Sequence, residues 1–138
     1  MRLLHGTSSS LLEKIQKEGL HEPFLTDQEE LARYYAQEAC DAAGGNPVIL
    51  EVDADPGSLR YDGSSMDEPV SYGGKSIAEI EKRVKAAWQK AAREHPEWKH
   101  GGHIVIPETE WRISLRTVGS VLCAGRISPE KLIIQRAD

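Results

Sequence analysis

The chain has 138 residues, 39% of them hydrophobic and 28% charged, which is enough to bury a real core and predicts one globular domain. No apolar run approaches the roughly 20 residues that cross a bilayer, and only two apolar residues separate Arg2 from His5, so neither a membrane span nor a signal peptide is expected and a cytoplasmic location follows. The net charge of −5 argues against bulk electrostatic binding of nucleic acid, yet residues 1–74 carry 5 basic and 14 acidic side chains (net −9), whereas 75–138 carry 12 basic and 8 acidic (net +4).

Leu3 and Leu4 bring His5 to the end of a short strand, Gly6 allows a turn or the close approach of a ligand, and Thr7 with Ser8, Ser9 and Ser10 leads into a helix. Ser10 and Glu13 have capping-box spacing, and Leu11, Leu12 and Ile15 form an apolar face that ends at Gly19, predicting a helix over 9–18. Pro23 introduces a short strand, Phe24-Leu25-Thr26. Asp27 and Glu30 signal a second helix start, with Leu31, Tyr34, Tyr35 and Ala39 near one face and Ala43-Gly44-Gly45-Asn46 as its end.

The near-continuous apolar run over 47–53 predicts a strand buried on both faces. Residues 54–74, rich in Asp, Gly, Ser and Pro, read as a long loop with a short strand near 58–61. Ser76 and Glu79 cap a third helix, in which Ile77, Ile80, Val84, Trp88 and Ala91 recur at helical spacing until Pro96. Strands are expected at 103–107, 111–118, 120–124 and 132–135. Helices followed by strands predict an α+β domain with a split, mostly antiparallel sheet and helices packed on it.

One ordered set of residues resembles the N-terminal signature of the ADP-ribosyltransferases, in the branch with a His-Tyr-Glu type of triad: His5-Gly6-Thr7-Ser8, Gly19-Leu20, Phe24-Leu25-Thr26-Asp27, then Ala32 with Tyr35-Ala36. Val48-Ile49-Leu50-Glu51-Val52 and Gly125-Arg126-Ile127-Ser128-Pro129-Glu130-Lys131-Leu132-Ile133 are similar to the family's later strands. The resemblance implies NAD as the substrate, held in a cleft between the His5-Gly6-Thr7 strand and Phe24–Thr26, with an ADP-ribosyl acceptor that is a protein, a nucleic acid, a small molecule or water. On that reading Gly6 offers backbone to the nicotinamide carboxamide, His5 bonds the ribose, Thr7 and Thr26 border the cofactor, and Phe24 or Tyr35 stacks on the nicotinamide ring.

Two departures from the family pattern matter. Phe24 stands where the second-motif Tyr is expected, which keeps a ring and loses its hydroxyl. Ser120 occupies the position of the catalytic acid, and the nearest upstream carboxylates are Glu108 and Glu110, a Glu-x-Glu arrangement known from another branch. Glu110, with Glu108 as the alternative, is therefore the candidate to support the oxocarbenium character that develops on the ribose. Rival readings are an NAD glycohydrolase, a tRNA 2′-phosphotransferase-like enzyme, for which only Arg2 and Arg33 lie near the first motifs, and a non-catalytic module that binds NAD or ADP-ribose. Small enzymes of this kind are often toxins held by an antitoxin or inhibitor protein, an association that rests on analogy alone.

The remaining chemistry-bearing residues read more plainly. Cys40 and Cys123 lack metal-knuckle spacing and are taken as core thiols. His95, His100 and His103 straddle Pro96 and two glycines without a standard ligand pattern, so no metal site is expected. Lys82, Arg83, Lys85, Lys90 and Arg93 suit a water-facing helix surface, with polynucleotide or pyrophosphate contact as the alternative. Trp88 is read as core, and Trp98 and Trp111 as candidates to line a cleft or an acceptor site.

Overall fold

The computed structural model describes the backbone of residues 1–137 and the side chains of 1–135. In chain order its elements are β1 (Arg2–Ser8), α1 (Leu12–Glu18), β2 (Leu20–His21), β3 (Phe24–Thr26), α2 (Glu29–Ala43), β4 (Pro47–Asp53), β5 (Leu59–Arg60), α3 (Gly63–Asp67), α4 (Ile77–Glu94), β6 (Lys99–His100), β7 (His103–Ile104), α5 (Trp111–Val118), β8 (Ser120–Cys123), β9 (Arg126–Ile127) and β10 (Leu132–Ala137). The main sheet runs β10-β4-β1-β3-β8-β5, with every neighbouring pair antiparallel. Helices pack on it, giving an α+β fold. Two small ladders, β2 with β9 and β6 with β7, lie apart from it.

Alternation along β1 and β4 divides the sheet's two faces. Leu3, Val48, Leu50 and Val52 share one core with Leu25, Leu59, Val121 and Trp111. On the opposite face α2 crosses β1 at Gly6, where a Cβ would come within 1.9 Å of the Ala32 carbonyl oxygen and 2.6 Å of the Ala36 nitrogen. Glycine is thus required in the strand, and Ala32 and Ala36, fully buried, are the matching small residues on the helix. A second core joins Leu31 of α2 to Ile80 and Val84 of α4, Val118 of α5, Met66 and Tyr72.

Three sequence expectations need correction. Residues 111–118 form α5, not a strand: apolar Trp111, Ile113 and Leu115 alternate like a strand, but the buried set is Trp111, Ser114, Thr117 and Val118, a helical spacing that includes two small polar residues. Gly119, in the left-handed region with φ of 81°, ends that helix. Neither of the first two capping assignments holds. Ser8, not Ser10, accepts from a turn N–H at 3.2 Å, while Ser10 Oγ turns to the Ala43 and Gly44 carbonyls at 3.1 Å each, and Gln28 caps α2 without a side-chain bond. Ser76 does cap α4, accepting from Glu79 N–H at 3.2 Å. The loop over 54–74 contains α3, whose N-cap Asp62 accepts from Ser65 N–H.

Trp111, a candidate from the sequence to line a cleft, packs into the first core. No helix among the described residues is long and apolar enough to cross a membrane, and no three His, Cys, Asp or Glu among them converge to hold a metal ion.

Candidate functional site

The sheet opens between its third and fourth strands. β1 keeps seven ladder pairs with β4, from Arg2↔Asp53 to Ser8↔Pro47, but only one with β3, Leu4↔Thr26. Continuing that register would oppose Gly6 to Phe24, and this pair does not form. β3 meanwhile pairs along its whole length with β8, from Phe24↔Leu122 to Thr26↔Ser120. From His5 onward β1 therefore turns an edge without ladder partners toward β3, and alternate residues direct their amide groups into that opening.

His5 spans it. Its Nδ1 lies 3.0 Å from the Phe24 carbonyl oxygen, and since a carbonyl can only accept, Nδ1 carries the proton and donates. Burial pushes the His5 pKa down, an effect larger than the opposing rise from the Phe24 carbonyl bond. The ring is thus neutral at pH 7 and leaves Nε2 as an acceptor, the tautomer needed to receive a hydroxyl proton donor such as a ribose O–H.

Phe24 is 41% exposed and stacks on Tyr35 of α2, with ring centroids 6.5 Å apart and planes inclined by 19°. Tyr34 meets Tyr35 edge-on at 5.6 Å. Tyr35 is reached from α2 because Ala32 and Ala36 seat that helix directly on Gly6. Burial raises the Tyr35 pKa, partly offset by a hydrogen bond with Ser65 and reinforced by the negative charge of Asp62, so the phenol stays neutral and its face stays available for stacking.

The structure links the His5 ring to the Phe24 main chain and the Phe24 ring to Tyr35, and separates others from them. Thr7 and Thr26 are buried, and the Thr26 hydroxyl accepts from Gln28 N–H at 2.9 Å. One face of Gly6 is covered by α2. Glu110 is the N-cap residue of α5, about 12 Å along that eight-residue helix from Ser120 at its far end. It lines a groove between α4 and α5 to which β1 and β3 contribute nothing. The Glu108 carbonyl accepts from Tyr61 N–H at 2.7 Å.

A carboxylate that the sequence reading missed does reach the Ser120 position. Asp62, 2% exposed, accepts at Oδ2 from the Ser120 hydroxyl at 2.6 Å and at Oδ1 from Ser64 Oγ and Ser65 N at 3.0 and 3.1 Å. Its own N–H donates to Ser114 Oγ at 3.0 Å. Three neutral donors thus hold a buried carboxylate that no cation among the described residues pairs with, and Ser65 connects it to the Tyr35 hydroxyl. The sequence carried one signal for it, an Asp three residues before Ser65 at a helix start, hidden in a stretch that reads as loop.

Comparison of the chain with protein-family models, with curated proteins and with solved structures returns no match.

Proposed function

We propose that the chain binds NAD at the opening between β1 and β3 and cleaves it as an ADP-ribosyltransferase. The observation that carries this reading is the His5 bridge to the Phe24 carbonyl in a sheet that has lost its ladder there. The bridge fixes the imidazole with Nε2 as its acceptor, and the residue whose carbonyl it bonds carries an exposed, stacked aromatic ring. The nicotinamide ring would lie on Phe24, and its ribose hydroxyl would donate to His5 Nε2.

In the reaction the bond between nicotinamide nitrogen and ribose C1′ breaks, and the electron pair leaves with nicotinamide, which departs neutral. The acceptor's lone pair then closes on C1′ and its proton goes to solvent or a nearby base. Positive charge develops on the ribose in between, so a carboxylate in the site lowers the barrier. Asp62 bonds Ser120 directly and its charge acts on Tyr35, whereas Glu110 and Glu108 lie toward the other end of α5.

Nicotinamide release from NAD, measured for the wild type and for His5→Ala, Asp62→Asn, Glu108→Ala and Glu110→Ala, tests the reading. It expects release that collapses in His5→Ala and in one acid variant; absence of NAD turnover with protein, RNA, DNA and small-molecule acceptors would reject the enzyme.

A second reading, NAD or ADP-ribose binding without turnover, is favoured by the burial of Asp62 and the engagement of its carboxylate by Ser120, Ser64 and Ser65. Saturable heat on calorimetric titration with ADP-ribose, in a protein that releases no nicotinamide, would establish it.

A further inference from the structure

α4 and α5 face each other across a groove of about 320 Å³, within the size range of small-ligand sites. Its floor is made of small and apolar residues, Ala87 and Ala91 of α4 with Ile113 of α5. At one end His95 and Trp98 stack, with centroids 3.8 Å apart and planes inclined by 12°. Pro96 starts the turn that folds Trp98 back onto His95, and the Glu97 carboxylate lies 3.1 Å from His95 Nδ1 and fixes that ring.

Four charged side chains also line the groove: Lys90, Glu94, Glu110 and Arg116. None of the four makes a side-chain hydrogen bond or ion pair with a described residue. An apolar ligand would desolvate these charges without compensation. A simple polyanion would meet Glu94 and Glu110, and would leave the aromatic pair unused.

A nucleotide answers every part of this lining. A base uses the aromatic stack, an exocyclic amino group donates to a carboxylate as cytosine or adenine does, and a phosphate meets Lys and Arg. The surrounding segment agrees in sign, since residues 75–138 carry a net +4 against −9 for the rest. We propose that the α4/α5 groove is a second site, which binds a nucleotide unit bearing an exocyclic amino group. Its base lies against the His95–Trp98 pair, its amino group meets Glu110 or Glu94, and its phosphate faces Lys90 and Arg116. No residue of β1, β3 or α2 lines the site, which shares with the NAD reading only Glu110, one of the acids tested there.

Calorimetric titration of the intact protein with 5′-AMP, adenosine and a six-nucleotide adenylate strand tests it. Saturable AMP binding is expected, weakened about tenfold or more by Trp98→Ala through loss of one base–aromatic stack, and weakened as well by the exposed double change Lys90→Glu with Arg116→Glu. Adenosine should bind less tightly than AMP, and His5→Ala should leave AMP affinity unchanged. Tighter, salt-sensitive binding of the strand supports the site with nucleic acid as its ligand, and equal affinity supports it with free nucleotide. Absence of saturable AMP binding at millimolar concentration, affinity indifferent to both groove variants, or affinity lost in His5→Ala would overturn the proposal.

Discussion

Ser120 Oγ donates a 2.6 Å hydrogen bond to Asp62 Oδ2, tying the first residue of β8 to the N-cap of α3 with both residues closed to solvent. Ser120→Ala removes one of the donors that hold a buried carboxylate and should cost about 1–3 kcal/mol. Asp62→Ala also removes the cap of α3 and should cost more. Because the two share one interaction, the double variant should be less destabilised than the sum of the single ones. Urea unfolding of the four proteins measures the difference.

Gly6 is fixed by the backbone of another element. An alanine there would drive its Cβ to 1.9 Å from the Ala32 carbonyl oxygen, so α2 must lift from β1 and its packing with the sheet is disrupted. Gly6→Ala is expected to lose about 3 kcal/mol or more, at the upper end of overpacking costs. Gly44→Ala gives the contrast: its Cβ would enter open space, but at φ of 77° and ψ of −170°, so only backbone strain of about 1–3 kcal/mol opposes it. Thermal midpoints of the two variants should fall in that order.

The neutral His5 makes stability depend on pH. In the unfolded chain His5 takes up its proton at the ordinary value of 6.5, while in the fold burial holds the pKa below that value. The unfolded state therefore binds more protons below pH 6.5, and stability falls as pH drops from there toward the folded pKa. It is fully present above pH 6.5. His5→Gln should flatten this part of the stability curve, and the imidazole resonances of His5 in NMR should titrate below 6.5.

Cys123 sits buried in β8, and burial, the largest influence, raises its thiol pKa. Cys40 of α2 is only partly buried. In the native protein a disulfide reagent should label Cys40 first and reach Cys123 at the rate of opening of the fold. Equal labelling rates for both thiols would contradict the packing of β8.

The strands around His5 and the helix from Ser76 were legible in the sequence because local signals agree there with the tertiary outcome. The apolar run over 47–53 becomes β4, and Ser76 caps α4. α5 was not legible: Trp111, Ile113 and Leu115 suit either period, and the choice was made by Ser114 and Thr117, polar residues buried through packing against other parts of the chain. The aromatic part of the candidate site, Phe24 with Tyr35, was visible as residue types. Its acidic part was not, because the link from Asp62 to Ser120 joins positions 58 apart in sequence, and no local pattern records such a contact. The Ser run after Thr7 read as a helix cap, which Ser8 supplies to the opening turn, while the bonds of Ser8 and Ser10 to carbonyls at the end of α2 left no local trace.

The most direct test of the NAD site is calorimetric titration of NAD into the wild type and into Phe24→Ala and His5→Gln. Phe24 is exposed, so its removal leaves the core intact and reports on the ligand. The account predicts saturable binding in the wild type, weakened about tenfold by loss of the Phe24 ring, in line with one aromatic stack, and weakened again in His5→Gln, where the imidazole acceptor is gone. NAD that does not bind, or that binds all three proteins alike, would contradict it.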